Sequence, residues 1–212
     1  KASESNKITT AVIDKAQILE AVKFARDEMK FELLSDIACV DNLNLNKSKR
    51  FSLYYIFSSL KGSNFIIQVD LDESESIASV SQIYKSANWA ERECYDQYGV
   101  KFANHPNLRR ILNHKDFIGH PLRKDYPIDK YQILTQSDSL VDEMRDQLLS
   151  LGLASEENDE FKIKYTFLNI GPSHPATHGT IRNFMALDGE KIAACVTEIG
   201  YLHRGFEKSC ET

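Results

Sequence analysis

Three stretches, 31–40, 51–60 and 65–71, are rich in aliphatic and aromatic residues and are separated by Asn, Lys, Ser and Gly. Runs of that length with turn residues between them specify neighbouring strands, and we expect three antiparallel ones. The segment before them, DKAQILEAVKFARDEM from Asp14, is amphipathic. Ile18, Val22, Ala25 and Met29 share one face, and Asp14 with Gln17 three residues on suits a helix start. After the strands, Ile83, Ala87, Ala90 and Cys94 recur at helical spacing before a stop at Gly99, which predicts a second helix over 76–98. Elements with one apolar face each must bury those faces against one another, so a small two-layer α+β domain is expected.

The longest uninterrupted apolar runs, Leu53 to Phe57 and Ile192 to Val196, are five residues. A membrane-spanning helix needs about 20, so the chain is not expected to cross a bilayer. Its start, KASESNKITT, lacks the apolar core of a secretory signal and begins with Lys, which implies processing or truncation and argues against export. With 26 basic and 31 acidic residues the formal charge is −5, which disfavours a general nucleic-acid binder. Cys39, Cys94, Cys195 and Cys210 form no CxxC pair; we expect reduced thiols in a cytosolic compartment, each serving as a small buried hydrophobe.

From about 100 to 130 the periodicity stops and prolines follow His105, His120 and Tyr126. Long irregular stretches inside a domain are commonly functional or bound to something. Here seven basic residues (Lys101, Arg109, Arg110, Lys115, Arg123, Lys124, Lys130) outnumber three acidic ones (Asp116, Asp125, Asp129), a local +4. The arm suits an anionic or carbonyl-rich partner surface, or else it is a solvated loop. Residues 137–150 predict a polar helix, and LGLASEENDE after it a linker with a boundary near 155–160. FKIKYTFLNI then predicts a strand, and TIRNFMALDGEKIAACVTEI a hairpin turning at Asp188 and Gly189, with a further helix starting at Phe206.

The densest polar constellation is GPSHPATHG at 171–179, where Pro172 and Pro175 forbid a regular helix and two imidazoles, His174 and His178, sit in a constrained loop. Without a helix their spacing of four does not make a zinc site. Either histidine can give a proton or hydrogen bond to a small oxygen-bearing ligand, or cap a strand end through backbone carbonyls, the reading favoured for His174. In GYLHRGFEK at 200–208, His203 and Arg204 lie between glycines; the guanidinium tunes a nearby redox centre or, as spacing favours, pairs with Glu207. In WAERECYDQYG at 89–99, Glu91, Glu93 and Asp96 suggest acid–base work, but Arg92 and Asp96 at i and i+4 read more simply as a solvated, salt-bridged helix face. No phosphate loop, dinucleotide fingerprint or nucleophile elbow occurs.

Taken together, two long motifs resemble one known system. ANWAERECYDQYGVKFANHPNLRRILNHKDFIGHPLRKDYP, residues 87–127, resembles the C subunit (30-kilodalton type) of respiratory complex I. FLNIGPSHPATHGTIRNFMALDGEKIAACVTEIGYLHRGFEKSCE, residues 167–211, resembles the amino-terminal end of its D subunit (49-kilodalton type), whose fold is that of a nickel-iron-hydrogenase-like large subunit. The resemblance implies a C/D fusion, cut short: a C-type domain over 1–130 with its arm from about 100, a linker with a polar helix over 131–160, and an incomplete D-type domain over 161–212.

It further implies membership of the peripheral arm of NADH:quinone oxidoreductase, a proton-translocating enzyme at the cytoplasmic side of the inner (plasma) membrane. This fragment would bind no cofactor; NADH, FMN and iron–sulfur clusters would belong to partner subunits, and quinone would be the substrate. His174, Pro175, Thr177, His178 and Gly179 would form the quinone-binding loop, with His178 the catalytic hydrogen-bond and proton donor. His203 and Arg204 would lie near the terminal 4Fe–4S cluster of a neighbouring subunit, and Arg109, Arg110, Arg123 and Lys124 would carry the arm across the D-type domain and other subunits. Membrane-arm subunits would be indirect partners, and no nucleic acid is implied.

Ser173 departs from the usual Gln of the family, and Thr197-Glu198 from the usual Pro-His. The cavity helices and the tyrosine that partners the quinone histidine would lie past Thr212, so the fragment alone is not expected to reduce quinone. Two alternatives stand beside this: part of a membrane-associated nickel-iron hydrogenase, which would carry paired CxxC motifs and generally lacks HPATHG, and a scaffold that only tethers two subunits.

Overall fold

The computed structural model describes residues 2–5, 8–45, 47–130, 132, 140–157, 160–162 and 164–211. They fall into two units, one of residues up to 132 together with the segment from Gly205, the other of 133–204.

The first unit contains strands β1 (Ala2–Ser5) and β2 (Ile8–Ile13), helix α1 (Ile18–Asp27), strands β3 (Leu33–Asp41), β4 (Phe51–Ser58), β5 (Asn64–Leu71) and β6 (Ser76–Ala78), helix α2 (Ala87–Tyr98) and strand β7 (Lys101–Ala103). The main sheet has the order β1-β2-β5-β4-β3. The three expected strands are its β3, β4 and β5, antiparallel to one another, but the sheet is larger than expected and mixed, because β2 pairs in parallel with β5.

Alternation explains the layering. Phe51, Leu53, Tyr55 and Phe57 of β4 and Phe65, Ile67, Val69 and Leu71 of β5 are buried and point to one face. Ile18, Val22 and Ala25 of α1 and Ala87 and Cys94 of α2 join them in one core. Full burial of such side chains stabilises by roughly 1.5–3 kcal/mol each, enough to fix both helices on that face.

The first helix forms as expected: the Asp14 carboxylate accepts the Ala16 amide at 2.8 Å, and a short 3-10 turn leads into α1. The second does not start at 76. Ser76–Ala78 is strand β6, parallel to β7, and the Ser79 amide donates to the Ala103 carbonyl at 2.9 Å. The serines at 76, 79, 81 and 86 favour such local alternatives over helix, and α2 starts only at Ala87. Its expected stop holds: Gly99 takes φ +80° and donates to the Tyr95 carbonyl at 2.8 Å.

The second unit has helix α3 (Leu140–Ser150), strands β8 (Ser155–Glu157), β9 (Glu160–Lys162), β10 (Thr166–Ile170), β11 (Ser173–His174), β12 (Gly179–Thr180), β13 (Arg182–Asp188) and β14 (Lys191–Glu198). The predicted helix over 137–150 is thus seen from 140; its first three residues lie outside those described. The expected linker at 151–160 carries β8, paired with β9, and the single strand expected over 161–170 is divided between β9 and β10. The hairpin is as expected, β13 and β14 pairing up to Asp188 and Lys191 around Gly189. With β10 they make a three-stranded antiparallel sheet whose Ala186, Ala194 and Val196 pack with Leu140, Met144 and Leu148 of α3. A last short helix, α4 (Phe206–Ser209), belongs to the first unit.

Candidate functional site

Between β10 and β13 the chain makes a small hairpin of its own. Ser173 pairs with Thr180 and His174 with Gly179, and Pro175–Thr177 form a 3-10 turn between them. Gly171 roots the loop at φ +102°; a Cβ there would lie 2.1 Å from the Ile181 carbonyl oxygen. Only glycine permits that approach.

Inside the loop the His174 Nδ1 accepts the Ala176 amide at 3.1 Å, so its proton sits on Nε2. His174 therefore does act as a backbone cap, though as acceptor from an amide rather than as donor to a carbonyl. The Thr177 hydroxyl lies 2.7 Å from the His174 carbonyl and 2.9 Å from that of Gly179, bracing the turn. His178 closes it in the left-handed region at φ +49° and is exposed, with no side-chain hydrogen bond among the described residues. Pro175 and Gly179 are exposed beside it. The loop thus uses His174 for its own shape, while the exposed His178 imidazole takes no part in bracing it.

At the same end of the sheet Glu198 stands opposite Arg182 in the strand register, their charges 3.7 Å apart, and the Tyr201 hydroxyl donates to the Glu198 carboxylate. Arg182 also donates to the Asn169 side chain at 3.1 Å. The departure at Glu198 therefore comes with partners for its charge. Burial and then the Glu198 hydrogen bond raise the pKa of Tyr201. His203 is half-buried and its amide donates to the Gly200 carbonyl at 2.9 Å, while Arg204 is exposed. The ion pair in this stretch is not Arg204–Glu207 but Lys208–Glu211, at 2.9 Å.

The basic arm of the first unit is shaped by a residue assigned from sequence to a solvated face. Asp96 is fully buried. Its Oδ1 accepts from Arg110 at 2.6 Å and the Asn113 side-chain amide at 3.0 Å, and its Oδ2 from the backbone amides of Ile111, Leu112 and Asn113 at 3.0, 2.8 and 2.9 Å. Burial alone would raise its pKa, but the Asn113 bonds, Arg110 and the Ile111 amide outweigh it and hold Asp96 below the usual carboxylate range. Arg92 does not pair with Asp96; it donates to the Arg109 and Arg110 carbonyls at 3.0 and 2.9 Å.

Among the expected interface residues, Arg110 donates onward to the Gly119 carbonyl at 2.7 Å, and Arg123 to the Tyr98 carbonyl at 2.6 Å and Glu73 at 2.5 Å while stacking over Phe51. Both spend their charge inside the first unit. Lys124 does so as well, its Nζ 2.6 Å from Glu211, and Arg109 is exposed at the surface.

Glu91 is buried too. It accepts from the Ser79 hydroxyl at 2.6 Å and the Val80 amide at 2.7 Å, and His105 Nε2 stands 3.8 Å away. Desolvation outweighs both hydrogen bonds and pushes Glu91 up to about 7. His105 is shifted down, chiefly by burial; its Nδ1 accepts the Asn107 amide, so Nε2 donates to the Asn88 carbonyl at 3.0 Å. A signal for Glu91 was present in the sequence, since 87, 91, 94 and 98 follow one helix face. Among the described residues no group of three or more His, Cys, Asp and Glu side chains is placed to hold a metal ion; of the four unpaired thiols Cys39 and Cys94 are buried, but, against expectation, Cys195 is half-buried and Cys210 exposed.

Comparison with known proteins identifies the family. Residues 11–132 match the one described as respiratory-chain NADH dehydrogenase, 30 Kd subunit. The chain belongs to that family. Over 99% of its length it is 41% identical to the C/D subunit of NADH-quinone oxidoreductase from Bdellovibrio bacteriovorus, and over 94% it is 37% identical to the C/D subunit from Buchnera aphidicola subsp. Cinara cedri. It spans 37% of the length of each of these relatives. A solved structure of a trypsin-resistant fragment of Nqo5 shares 28% identity at a TM-score of 0.48, covering 51% of this chain and 89% of that one.

Proposed function

We propose that this chain supplies the C-type domain and the first part of the D-type domain of a fused C/D subunit in NADH:quinone oxidoreductase. The observation that carries this is the exposed His178 on a self-braced HPATHG loop, in a chain similar from end to end to proteins named as C/D subunits of that enzyme. In this reading electrons from NADH pass through FMN and iron–sulfur clusters of partner subunits to a quinone at the loop His174–Gly179, in a reaction coupled to proton translocation. Reducing a quinone to a quinol needs two protons, and an imidazole N–H is suited to hydrogen-bonding the carbonyl oxygen and delivering one.

Arg204, exposed at the end of its turn, would face the terminal 4Fe–4S cluster of a neighbouring subunit, with His203 beside it, and favour the reduced cluster by its charge. Arg110, Arg123 and Lys124, each paired within the first unit, would set the shape of the arm that, with the exposed Arg109, lies across the D-type domain and neighbouring subunits. Among the described residues no helix is long and apolar enough to cross a membrane, which suits a peripheral place at the cytoplasmic face, linked to the membrane arm through other subunits.

The test is His178→Ala in the complete complex. Quinone reduction is expected to fall at least tenfold, a loss of about 1.4 kcal/mol of transition-state stabilisation, while NADH reduction of an artificial acceptor is unchanged. Unchanged quinone reduction would remove His178 from the reaction.

A further inference from the structure

The buried Glu91 carboxyl stands at the inner end of a chain of hydroxyl groups. Its Oε2 takes the Ser79 hydroxyl at 2.6 Å, and Ser79 Oγ lies 2.7 Å from Ser81 Oγ and accepts the Ser81 amide at 3.2 Å. Glu91 has no exposed surface, whereas Ser79 and Ser81 each keep 7% and Gln82 beyond them is exposed, so the chain leads outward. Backbone bonds fix it in place between β6 and α2. The Ser79 amide donates to the Ala103 carbonyl at 2.9 Å and the Val80 amide to Glu91 Oε1 at 2.7 Å, while the Val80 carbonyl accepts the Ile83 and Tyr84 amides at 2.9 and 3.0 Å.

A serine hydroxyl has one proton to give and two lone pairs to fill. With Glu91 ionised, Ser81 donates to Ser79 and Ser79 donates to Glu91, while the Ser81 amide fills the second lone pair of Ser79. With Glu91 protonated, the carboxyl O–H donates to Ser79, Ser79 donates to Ser81, and the Ser81 proton turns away from Glu91. Both arrangements use the one proton and both lone pairs of Ser79 without moving a heavy atom, so rotation of two hydroxyls interconverts them.

The other groups around Glu91 offer no such path. His105 Nε2, 3.8 Å away, donates to the Asn88 carbonyl, and its Nδ1 accepts the Asn107 amide, so both ring nitrogens are occupied. Tyr55 of β4 and Cys94 of α2 lie within electrostatic reach of Glu91. The Tyr55 hydroxyl is buried with no hydrogen-bond partner among the described residues, and the Cys94 thiol donates to the Ile37 carbonyl at 3.1 Å. Arg92, next along α2, is turned to the Arg109 and Arg110 carbonyls.

We propose that Glu91 is a proton-binding site in the core of the first unit, loaded and unloaded from solvent through a relay of Ser81 and Ser79. In loading, a hydronium ion or buffer acid gives its proton to Ser81 Oγ, the Ser81 proton passes to Ser79 Oγ, and the Ser79 proton passes to Glu91 Oε2. One O–H bond forms and one breaks at each serine, and the site gains a single proton that neutralises the carboxylate. Unloading runs the same steps backwards. Burial pushes the Glu91 carboxyl up to about 7, so small pH changes around neutrality change its occupancy. The site lies within the first unit and does not rest on the quinone reading.

Infrared difference spectra of the full-length protein, titrated from about pH 5 to about pH 9, test this, the protonated-carboxyl C=O band of Glu91 being assigned by its loss in Glu91→Gln. Ser81 does not touch Glu91, yet Ser81→Ala strands the Ser79 proton without an acceptor only when Glu91 is protonated. The proton affinity of Glu91 is therefore expected to fall about tenfold, moving the midpoint to lower pH, and proton release after a pH jump is expected to slow by at least about tenfold. Ser81→Thr keeps the hydroxyl and should restore both. An unchanged midpoint in Ser81→Ala would overturn the reversing chain, and an unchanged rate would overturn the relay. If no carboxyl band of the wild type disappears in Glu91→Gln, the proton site itself is overturned.

Discussion

Asp96 and Arg110 meet at 2.6 Å, and the three amides that follow Arg110 close on the same carboxylate, so one side chain of α2 dictates the path of the arm it faces. Five donors converge on one anion with almost no water present. That arrangement is stronger than an exposed ion pair, and it is also less tolerant of change.

Asp96→Asn should therefore be costly. Asparagine offers an N–H₂ group toward donors and leaves Arg110 facing no charge, and breaking a buried pair in this way costs on the order of 3 kcal/mol. The expected result is a lower unfolding midpoint, with new protease cleavage within 109–120. The wild-type contact also has an acid limit. Because the folded pKa of Asp96 lies below its ordinary 3.8, its stabilisation is present above about that pH and is lost as pH falls through the lower folded value. Denaturation curves below pH 4 should converge for the two proteins; a gap that stays constant with pH would contradict this.

Glu91 carries the opposite sign. Burial raises its folded pKa from an ordinary 4.5 to about 7, so its stabilisation is complete below pH 4.5 and is lost as pH rises to 7. The span corresponds to roughly 3 kcal/mol, and stability should then level off above pH 7 as far as this residue is concerned. Glu91→Gln keeps an acceptor oxygen for the Val80 amide and turns its N–H₂ toward the Ser79 hydroxyl oxygen, which can accept, but it does not titrate. The pH slope of urea stability between 4.5 and 7 should flatten in the variant, and an identical slope would mean that Glu91 is not its source.

These two acids show where the sequence ceases to be legible. Strands β3, β4 and β5 could be read because alternation over seven or more residues is a local signal. The parallel pairing of β2 with β5 could not, since ITTAVI is short and its partner lies some fifty residues away. Asp96 has Arg92 four residues before it, which invites a surface ion pair; its real partners arrive from 110–113. Glu91 likewise answers to Ser79 and Val80. Periodicity reports which face a residue occupies, whereas its charge partners are set by tertiary contacts no local pattern encodes. The HPATHG loop is the reverse case, because its prolines and glycines dictate a constrained turn directly, while the division of labour between His174 and His178 needed the hydrogen bonds.

The root of that loop offers the sharpest steric prediction. At Gly171, φ is +102° and an added Cβ would sit 2.1 Å from the Ile181 carbonyl oxygen and 3.1 Å from Arg182 Cα, all backbone atoms at the start of β13. Backbone cannot step aside as a flexible side chain does, so Gly171→Ala must displace either the loop or the first residues of the strand. Gly189 is the matched control. It also has positive φ, +63°, but nothing lies within 4 Å of its Cβ position, so alanine there costs only the left-handed penalty of about 1–2 kcal/mol. We expect Gly171→Ala to destabilise the second unit by clearly more than Gly189→Ala and to raise the KM for quinone in the complete complex. Gly189→Ala should leave KM unchanged, because its strain stays at the far end of the hairpin. Equal destabilisation by the two variants would show that backbone conformation alone, and not the close approach to Ile181, fixes the loop.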